Sequence, residues 1–316
     1  MMSITSIFLQ ILQLVLLIAL APLLMGWVNQ NRSWLSNKTG SGIFQPYHNL
    51  HKLFLKESVL AKNASFLFRA VPYVYFSAMC LIAAIIPVLC DKLALSAIAD
   101  VIALIGLFGL ARILLALAAM DVVTAFGSMG ARREMLIAFL AEPALLMVFF
   151  NAALINQSTS LTIIVEKTLT EPFHINPSIV FATVAFLMVL LAENARIPVD
   201  NPSTHLELTM IHEAMVLEYS GRHLALIEWS SQLKLLNYFV IAIALFCPWG
   251  IVSTLTPSTL LISLLSCLFK LIILSSALVI FETLSTKFRL FRAPEFLTIA
   301  FILAIFGVLT QLTSIG

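Results

Sequence analysis

The stretch IADVIALIGLFGLARILLALAAM, Ile98–Met120, decides the fold class. Apart from Asp100 near its start and one arginine, Arg112, it is an unbroken apolar run. A helix crosses the hydrocarbon of a bilayer with about 20 apolar residues, so this run has the length of one span. Its apolar residues are continuous, whereas the outer helix of a soluble domain would alternate polar and apolar faces. Comparable runs recur at Ile4–Val28, Val71–Leu89, Met135–Ile155, Ile179–Leu191, Leu235–Val252, Leu260–Phe281 and Phe296–Leu312. Together they predict an all-α, polytopic membrane protein of about eight transmembrane helices.

Composition agrees. Of 316 residues, 61% are hydrophobic and 11% charged, and the mean hydropathy is +1.03. A soluble domain carries about a quarter of its residues as charges. The net charge of +2 is too small to imply a nucleic-acid partner. Cys80, Cys90, Cys247 and Cys267 sit in or beside apolar runs without CxxC spacing, so they read as small core residues rather than metal ligands. The first run has no preceding basic residue and no evident small-residue cleavage site, and it reads as a retained helix. The chain reads as a single membrane domain over residues 1–316, with two long polar connections, 29–70 and 193–234.

Basic residues set the orientation. The odd-numbered connections hold Arg32, Lys38, Lys52, Lys56, Lys62, Arg69, Arg132, Arg133, Arg196, Arg222, Lys234, Lys287, Arg289 and Arg292. The even-numbered ones hold only Lys92 and Lys167. By the positive-inside rule the odd connections face the cytoplasm and both termini face the opposite side. Lys38, Gln45, Lys52 and Lys56 in the first connection, with Arg132, Arg133, Arg289 and Arg292, are candidates for docking a soluble partner. The alternative is that they only fix topology and touch lipid phosphate. Leu50, Leu53, Phe54 and the nearby lysines suit a helix lying in the interface plane.

The densest polar segment begins where the fifth run ends. It carries Glu193, Arg196, Asp200, Glu207, Glu213 and Glu218, with His205 and His212 among them. Beside bilayer, each such charge must be paired, hydrated or protonated, and a row of acids interleaved with histidines suits a proton relay. Bland readings stand beside this one. Glu193 and Arg196 are three apart and could pair on one helix, and Thr204 to Glu207 fits a capping box. His212-Glu213 begins an HExxH pattern, but Val216 stands where the second histidine belongs, which excludes that zinc motif. Arg112, Asp121, Glu142, Lys270 and Glu282 lie within or at the ends of apolar runs. Glu142 precedes Pro143, which frees a backbone carbonyl inside a span. Asp121 and Glu282 are either functional or paired with Arg112 or Lys270. No catalytic triad, phosphate loop or metal-ligand cluster is legible.

These residues carry a family resemblance. Glu193-x-x-Arg196-x-Pro198-x-Asp200 with Glu218-Tyr219-Ser220-Gly221 resembles the membrane subunit joining the two arms of respiratory complex I, known as subunit 1. Gly40-Ser41-Gly42-Ile43-Phe44-Gln45-Pro46-Tyr47, Lys52-Leu53 and Lys56-Glu57 resemble its first cytoplasmic loop. Gly127 to Met135 with Glu142-Pro143 resembles its third and fourth helices. A finer similarity, in Asn201 to Glu213 and Arg289 to Glu295, is to the hydrogenase branch of that family. The chain departs from the complex I subunit proper in having Pro198-Val199-Asp200 for Pro-Phe-Asp and in lacking Glu-Gly-Glu.

The resemblance implies a membrane anchor and coupling subunit of a group-4 nickel–iron hydrogenase in a bacterial or archaeal cytoplasmic (inner) membrane. Its implied partners are a hydrogenase large subunit and an iron–sulfur subunit on the cytoplasmic face, and antiporter-like membrane subunits. The nickel–iron centre and iron–sulfur clusters would reside in those partners, and this chain would bind none of them. The rival reading is the equivalent arm-joining subunit of an NADH–quinone oxidoreductase, with quinone in its cavity. A stand-alone cation or proton transporter is the rival from another class, and it would show inverted internal repeats, none of which is evident. Reporter fusions after residues 60, 130, 215 and 290 should all report cytoplasm, and a periplasmic signal from any one overturns the topology.

Overall fold

The computed structural model describes residues 4–61, 63–90, 93–95, 98–170, 176–200, 210–251, 256–285 and 292–315. They form helices α1 (Ile4–Leu35), α2 (Gln45–Leu55), α3 (Phe66–Ile85), α4 (Val101–Asp121), α5 (Ala125–Asn156) and α6 (Leu161–Thr170). After these come α7 (Pro177–Glu193), α8 (His212–Val216), α9 (Gly221–Phe246), α10 (Pro257–Leu284) and α11 (Ala293–Ile315). Seven of them, α1, α3, α4, α5, α9, α10 and α11, are long and apolar enough to cross a membrane. The eighth expected span is α7, whose 17 residues are at the short end of what a crossing needs.

Local chemistry sets the boundaries. The Asp100 carboxylate caps α4 by accepting from the Ile102 N–H at 3.0 Å, and Thr124 caps α5 by accepting from Gly127 at 3.3 Å. Thr256 and Thr259 form a reciprocal capping box at the start of α10. Helix α9 ends at Phe246, two residues before Pro248, which has no N–H to continue the ladder. Two helices outrun their apolar stretches. Helix α5 begins at Ala125, ten residues before the apolar run, and α9 begins at Gly221, well inside the expected 193–234 connection. Both extensions carry polar residues into the bundle, where other helices cover them.

Helix α11 packs against α5 and α7, α3 lies against α4 and α9, and α1 is flanked by α9 and α10. Polar contacts sort the helix ends onto two faces. On one face Arg32 of α1 pairs with Glu282 of α10, and the Ser65 N–H ahead of α3 donates to Asp121 of α4 at 2.9 Å. On the other, Gln13 of α1 donates to the carbonyls of Ala83 and Ile86 at 3.2 and 2.8 Å. There too Ser263 of α10 donates to Leu89 at 2.9 Å, and Lys270 donates to the carbonyl of Cys247 at 2.7 Å, closing the end of α9. The sorting matches alternate crossing by the eight expected spans. Helix α2 is the amphipathic segment expected from Leu50, Leu53 and Phe54. It buries Pro46 and Leu50 and packs on α9 and α1.

The stretch Tyr219-Ser220-Gly221 has a clear structural task. Tyr219 stacks flat on Phe68 with centroids 3.9 Å apart, and its hydroxyl donates to the Phe68 carbonyl at 3.1 Å. Ser220 donates to the carbonyl of Val59 at 2.7 Å and accepts from the Val59 N–H at 2.8 Å. Gly221 has φ +54, and a Cβ there would lie 2.8 Å from the carbonyl oxygens of Lys56 and Glu57. A side chain would meet both a left-handed backbone cost of about 1–2 kcal/mol and a collision with main chain. Gly221→Ala should therefore lower the melting temperature of the detergent-solubilised protein, and an unchanged melting curve would show that the 56–59 segment does not sit on α9.

Candidate functional site

Four spans meet at one buried ion network. The guanidinium of Arg112, halfway along α4, pairs with Glu134 of α5 at 3.1 Å through Nε and with Glu193 of α7 through Nη2. Lys234 of α9 completes it, with Nζ 3.0 Å from Glu193 Oε2 and donating to the Glu193 carbonyl at 2.7 Å. All four side chains are buried. An isolated charge at membrane depth costs on the order of 2.5–3.5 kcal/mol or more. Two cations against two carboxylates bring the net charge of this set to zero. Glu142, two turns after Glu134 on α5, reaches α4 at Gly109, where a Cβ would lie 3.4 Å from its Oε1. Tyr238 sits a turn beyond Lys234 on α9, fully buried, with its ring 4.8 Å from Phe108.

The end of α7 explains why Glu193 and Arg196 part company. The Ala195 N–H bonds to the carbonyl of Ala192 at 3.2 Å and the Arg196 N–H to Leu191 at 2.9 Å, the bond pattern of a Schellman cap. Ala195 occupies the left-handed position at φ +49, where glycine is usual. The chain thus leaves the helix immediately after Glu193, and the helical three-residue pairing has no helix to form on. Arg196 turns instead to Glu282 of α10, 3.5 Å away, with Nη2 3.1 Å from the Met25 sulfur. Glu282 is also the partner of Arg32, so two arginines share one buried carboxylate.

Beside Arg196 opens a cavity of about 490 Å³ bounded by α1, α2, the 194–200 turn, α8 and the first half of α9. Its wall carries the acids Asp200, Glu213 and Glu228, the bases Arg196 and His212, and the amides of Asn29, Asn49 and Gln232. Asp200 is buried and accepts from the Ile211 N–H at 3.3 Å, which draws the start of α8 towards the turn. Burial pushes the His212 imidazole below its usual value, against the opposing pull of Glu134.

The residues singled out from the sequence therefore separate into groups. Glu193 and Glu142 belong to the α4–α5–α7–α9 region, while Arg196, Asp200 and Glu213 line the cavity and Glu282 anchors its arginine. Asp121 holds the start of α3, and Glu218 lines neither the cavity nor the network. Neither Asp121 nor Glu282 pairs with Arg112 or Lys270, because Arg112 is engaged by Glu134 and Glu193 and Lys270 lies on the opposite face. Lys38, Lys52, Lys56, Arg132 and Arg292 are exposed, and Gln45 donates to Asn49 at 3.1 Å. Arg133 is half-buried and donates to the Met210 carbonyl at 2.9 Å. Glu207 and Arg289 lie outside the described residues.

Sequence reasoning does not single out Glu134, Lys234 or Glu228 as site residues. Lys234 reads there as a loop charge because it directly precedes an apolar run. Glu134 does carry a signal, since it falls eight residues before Glu142 on the same side of one helix.

The fold and site define an all-helical integral membrane protein with a polar cavity at one face and paired charges inside its bundle. The chain belongs to the NADH dehydrogenase family, the group of complex I subunit 1, whose family model matches residues 7–312. It is 31% identical over 290 residues to formate hydrogenlyase subunit 4 of Escherichia coli (strain K12), covering 92% of this chain and 94% of that one. It is 33% identical over 262 residues to hydrogenase-4 component C of the same organism, covering 83% and 82%. Among solved structures, a chain of the membrane-bound sulfane sulfur reductase, an archaeal respiratory membrane complex, matches with a TM-score of 0.83. The match covers 96% of this chain and 99% of that one at 19% identity, so this likeness is one of fold.

Breaking a buried pair from one side costs about 3–5 kcal/mol because the remaining charge is left uncompensated. Arg112→Leu strands Glu134 and leaves Glu193 only Lys234, whereas Lys234→Met leaves both carboxylates their arginine. The first should therefore depress thermal stability and membrane yield more than the second, and equal effects would mean the network is not centred on Arg112.

Proposed function

We propose that this chain is the membrane anchor and coupling subunit of a complex-I-like oxidoreductase of the group-4 nickel–iron hydrogenase type. Its relatives named for formate hydrogenlyase and hydrogenase-4 support that assignment. The observation that carries the mechanism is the four-helix ion network at the end of α7, whose following turn supplies Asn194, Ala195, Arg196 and Asp200 to the cavity wall. Redox turnover in a soluble arm above the cavity changes the charge or shape of its wall. Asp200, Glu213 and Arg196 receive that change, and Glu193, Glu134 and Glu142 transmit it into the bundle. Where carboxylates interact strongly in a low dielectric, a change in the charge of one resets the others.

On this reading the cavity faces the cytoplasm, and both termini lie on the far side of a bacterial or archaeal inner membrane. The hydrogenase large subunit and an iron–sulfur subunit rest on the exposed Lys52, Lys56, Arg132 and Arg292, with the nickel–iron centre and clusters inside those partners. Antiporter-like membrane subunits receive the output. A second reading, the equivalent arm-joining subunit of an NADH–quinone oxidoreductase, is favoured by the cavity volume of about 490 Å³, within the range of small-molecule sites. A quinone would lie among α1, α2 and α9, with Arg196 and His212 as hydrogen-bond donors.

Glu142→Gln and Glu193→Gln decide the coupling role. In vesicles carrying the assembled complex, ions translocated per redox turnover should fall about tenfold or more in each, the range of a lost acid–base group. Wild-type stoichiometry in both would make the carboxylates structural. Nickel analysis and quinone extraction of the purified complex separate the two readings.

A further inference from the structure

We propose that His212 carries protons between the cavity and the buried Glu134–Arg112–Glu193–Lys234 network, and that α8 serves to hold it there. The inference rests on the coupling role above and adds the group that joins its two halves. None of the four network side chains lines the cavity, whereas His212 does, half-buried at the first position of α8. Helix α8 packs on α5 and α4, the helices of Glu134 and Arg112, and the charges of Glu134, Lys234, Asp200 and Arg112 all act on its ring. Its neighbour Glu213 lines the cavity beside it. His212 thus has cavity acids on one side and the network on the other.

A five-residue helix has little stability of its own, so α8 is held by its neighbours. A Cβ on Gly130 of α5 would lie 2.8 Å from the Ala214 Cβ and 3.1 Å from the Ile211 carbonyl oxygen, so only glycine lets the two helices approach this closely. Arg133, one turn further along α5, donates to Met210, and Ile211 donates to Asp200. These contacts grip the residues just ahead of His212 and behind it while its ring stays open to the cavity.

Imidazole suits the task because one ring nitrogen accepts while the other donates. A proton from Asp200, Glu213 or cavity water forms an N–H bond at the cavity-facing nitrogen. The N–H at the other nitrogen then breaks and its proton passes to the Glu134 carboxylate, leaving a neutral ring in the alternative tautomer. Ring rotation restores the start. No electron is moved. Burial favours the neutral ring, so one ring nitrogen is open to accept at the start of each transfer and the charged form stays short-lived.

The test uses the assembled complex in vesicles and reads charge translocated per redox turnover with a membrane-potential dye, which added imidazole does not itself collapse. His212→Gln and His212→Ala should lower that ratio about tenfold or more. Free imidazole should restore it in His212→Ala, compared with wild type at the same imidazole concentration, because the cavity of about 490 Å³ admits the ring. It should restore nothing in Glu193→Gln. Wild-type ratios in both histidine variants, or a loss that imidazole does not repair, overturn the proton-carrying role. Normal coupling in Glu142→Gln and Glu193→Gln removes instead the coupling role on which it depends.

Discussion

A carboxylate at the end of a membrane helix must find positive charge within reach, and the position of Glu193 organises the bundle around that need. Its partners come from α4 and α9, and the α4 partner reaches on to α5. Four helices are thereby fixed in register by groups that cannot be exchanged for lipid. Apolar packing alone would allow small slips, because hydrocarbon is as good a neighbour for leucine as another helix is. The ion network removes that freedom at one depth, and Asn237, which donates to the Met79 carbonyl at 3.0 Å, ties α9 to α3 as well.

The fold was legible because its signal is local. Twenty consecutive apolar residues announce a span without reference to any other part of the chain, and the runs that became α4, α10 and α11 needed only small adjustment. The site was legible only in part. Glu193, Asp200 and Glu213 stand out as acids beside an apolar run, but their partners are set by pairings such as Arg112 with Glu193 and Arg196 with Glu282, which no spacing rule supplies. Lys234 shows the limit. In the sequence it borders an apolar run like any topology-setting lysine, and only the folded bundle, which sets it against Glu193 of α7, turns it into a buried cation. Glu193 and Arg196 show the converse, a pairing that spacing allows and the Schellman turn forbids.

Two motif-bearing stretches far apart in the chain prove to be one structure. Lys56-Glu57 and Tyr219-Ser220-Gly221 are joined by the Ser220–Val59 bonds and by the contact at Gly221. Their residues hold the first connection against the start of α9, and Tyr219 among them lines the cavity. The recognisable pattern thus mixes residues of two kinds. Glu193, Asp200 and Arg196 carry charge into the site, while Tyr219, Ser220 and Gly221 give the wall its shape.

The unequal lengths of the spans have a mechanical consequence. With 17 residues, α7 rises about 26 Å, while the 32 residues of α5 rise about 48 Å. The hydrocarbon layer is about 30 Å thick. Lipid beside α7 is therefore drawn thinner, while the first ten residues of α5 project beyond its apolar run. The resulting strain bears directly on the end of α7, where Glu193 is held. Acyl-chain length and lateral pressure thus become physical inputs to the same helix end that carries the central carboxylate, and a change of membrane composition loads the network as a force rather than as a ligand.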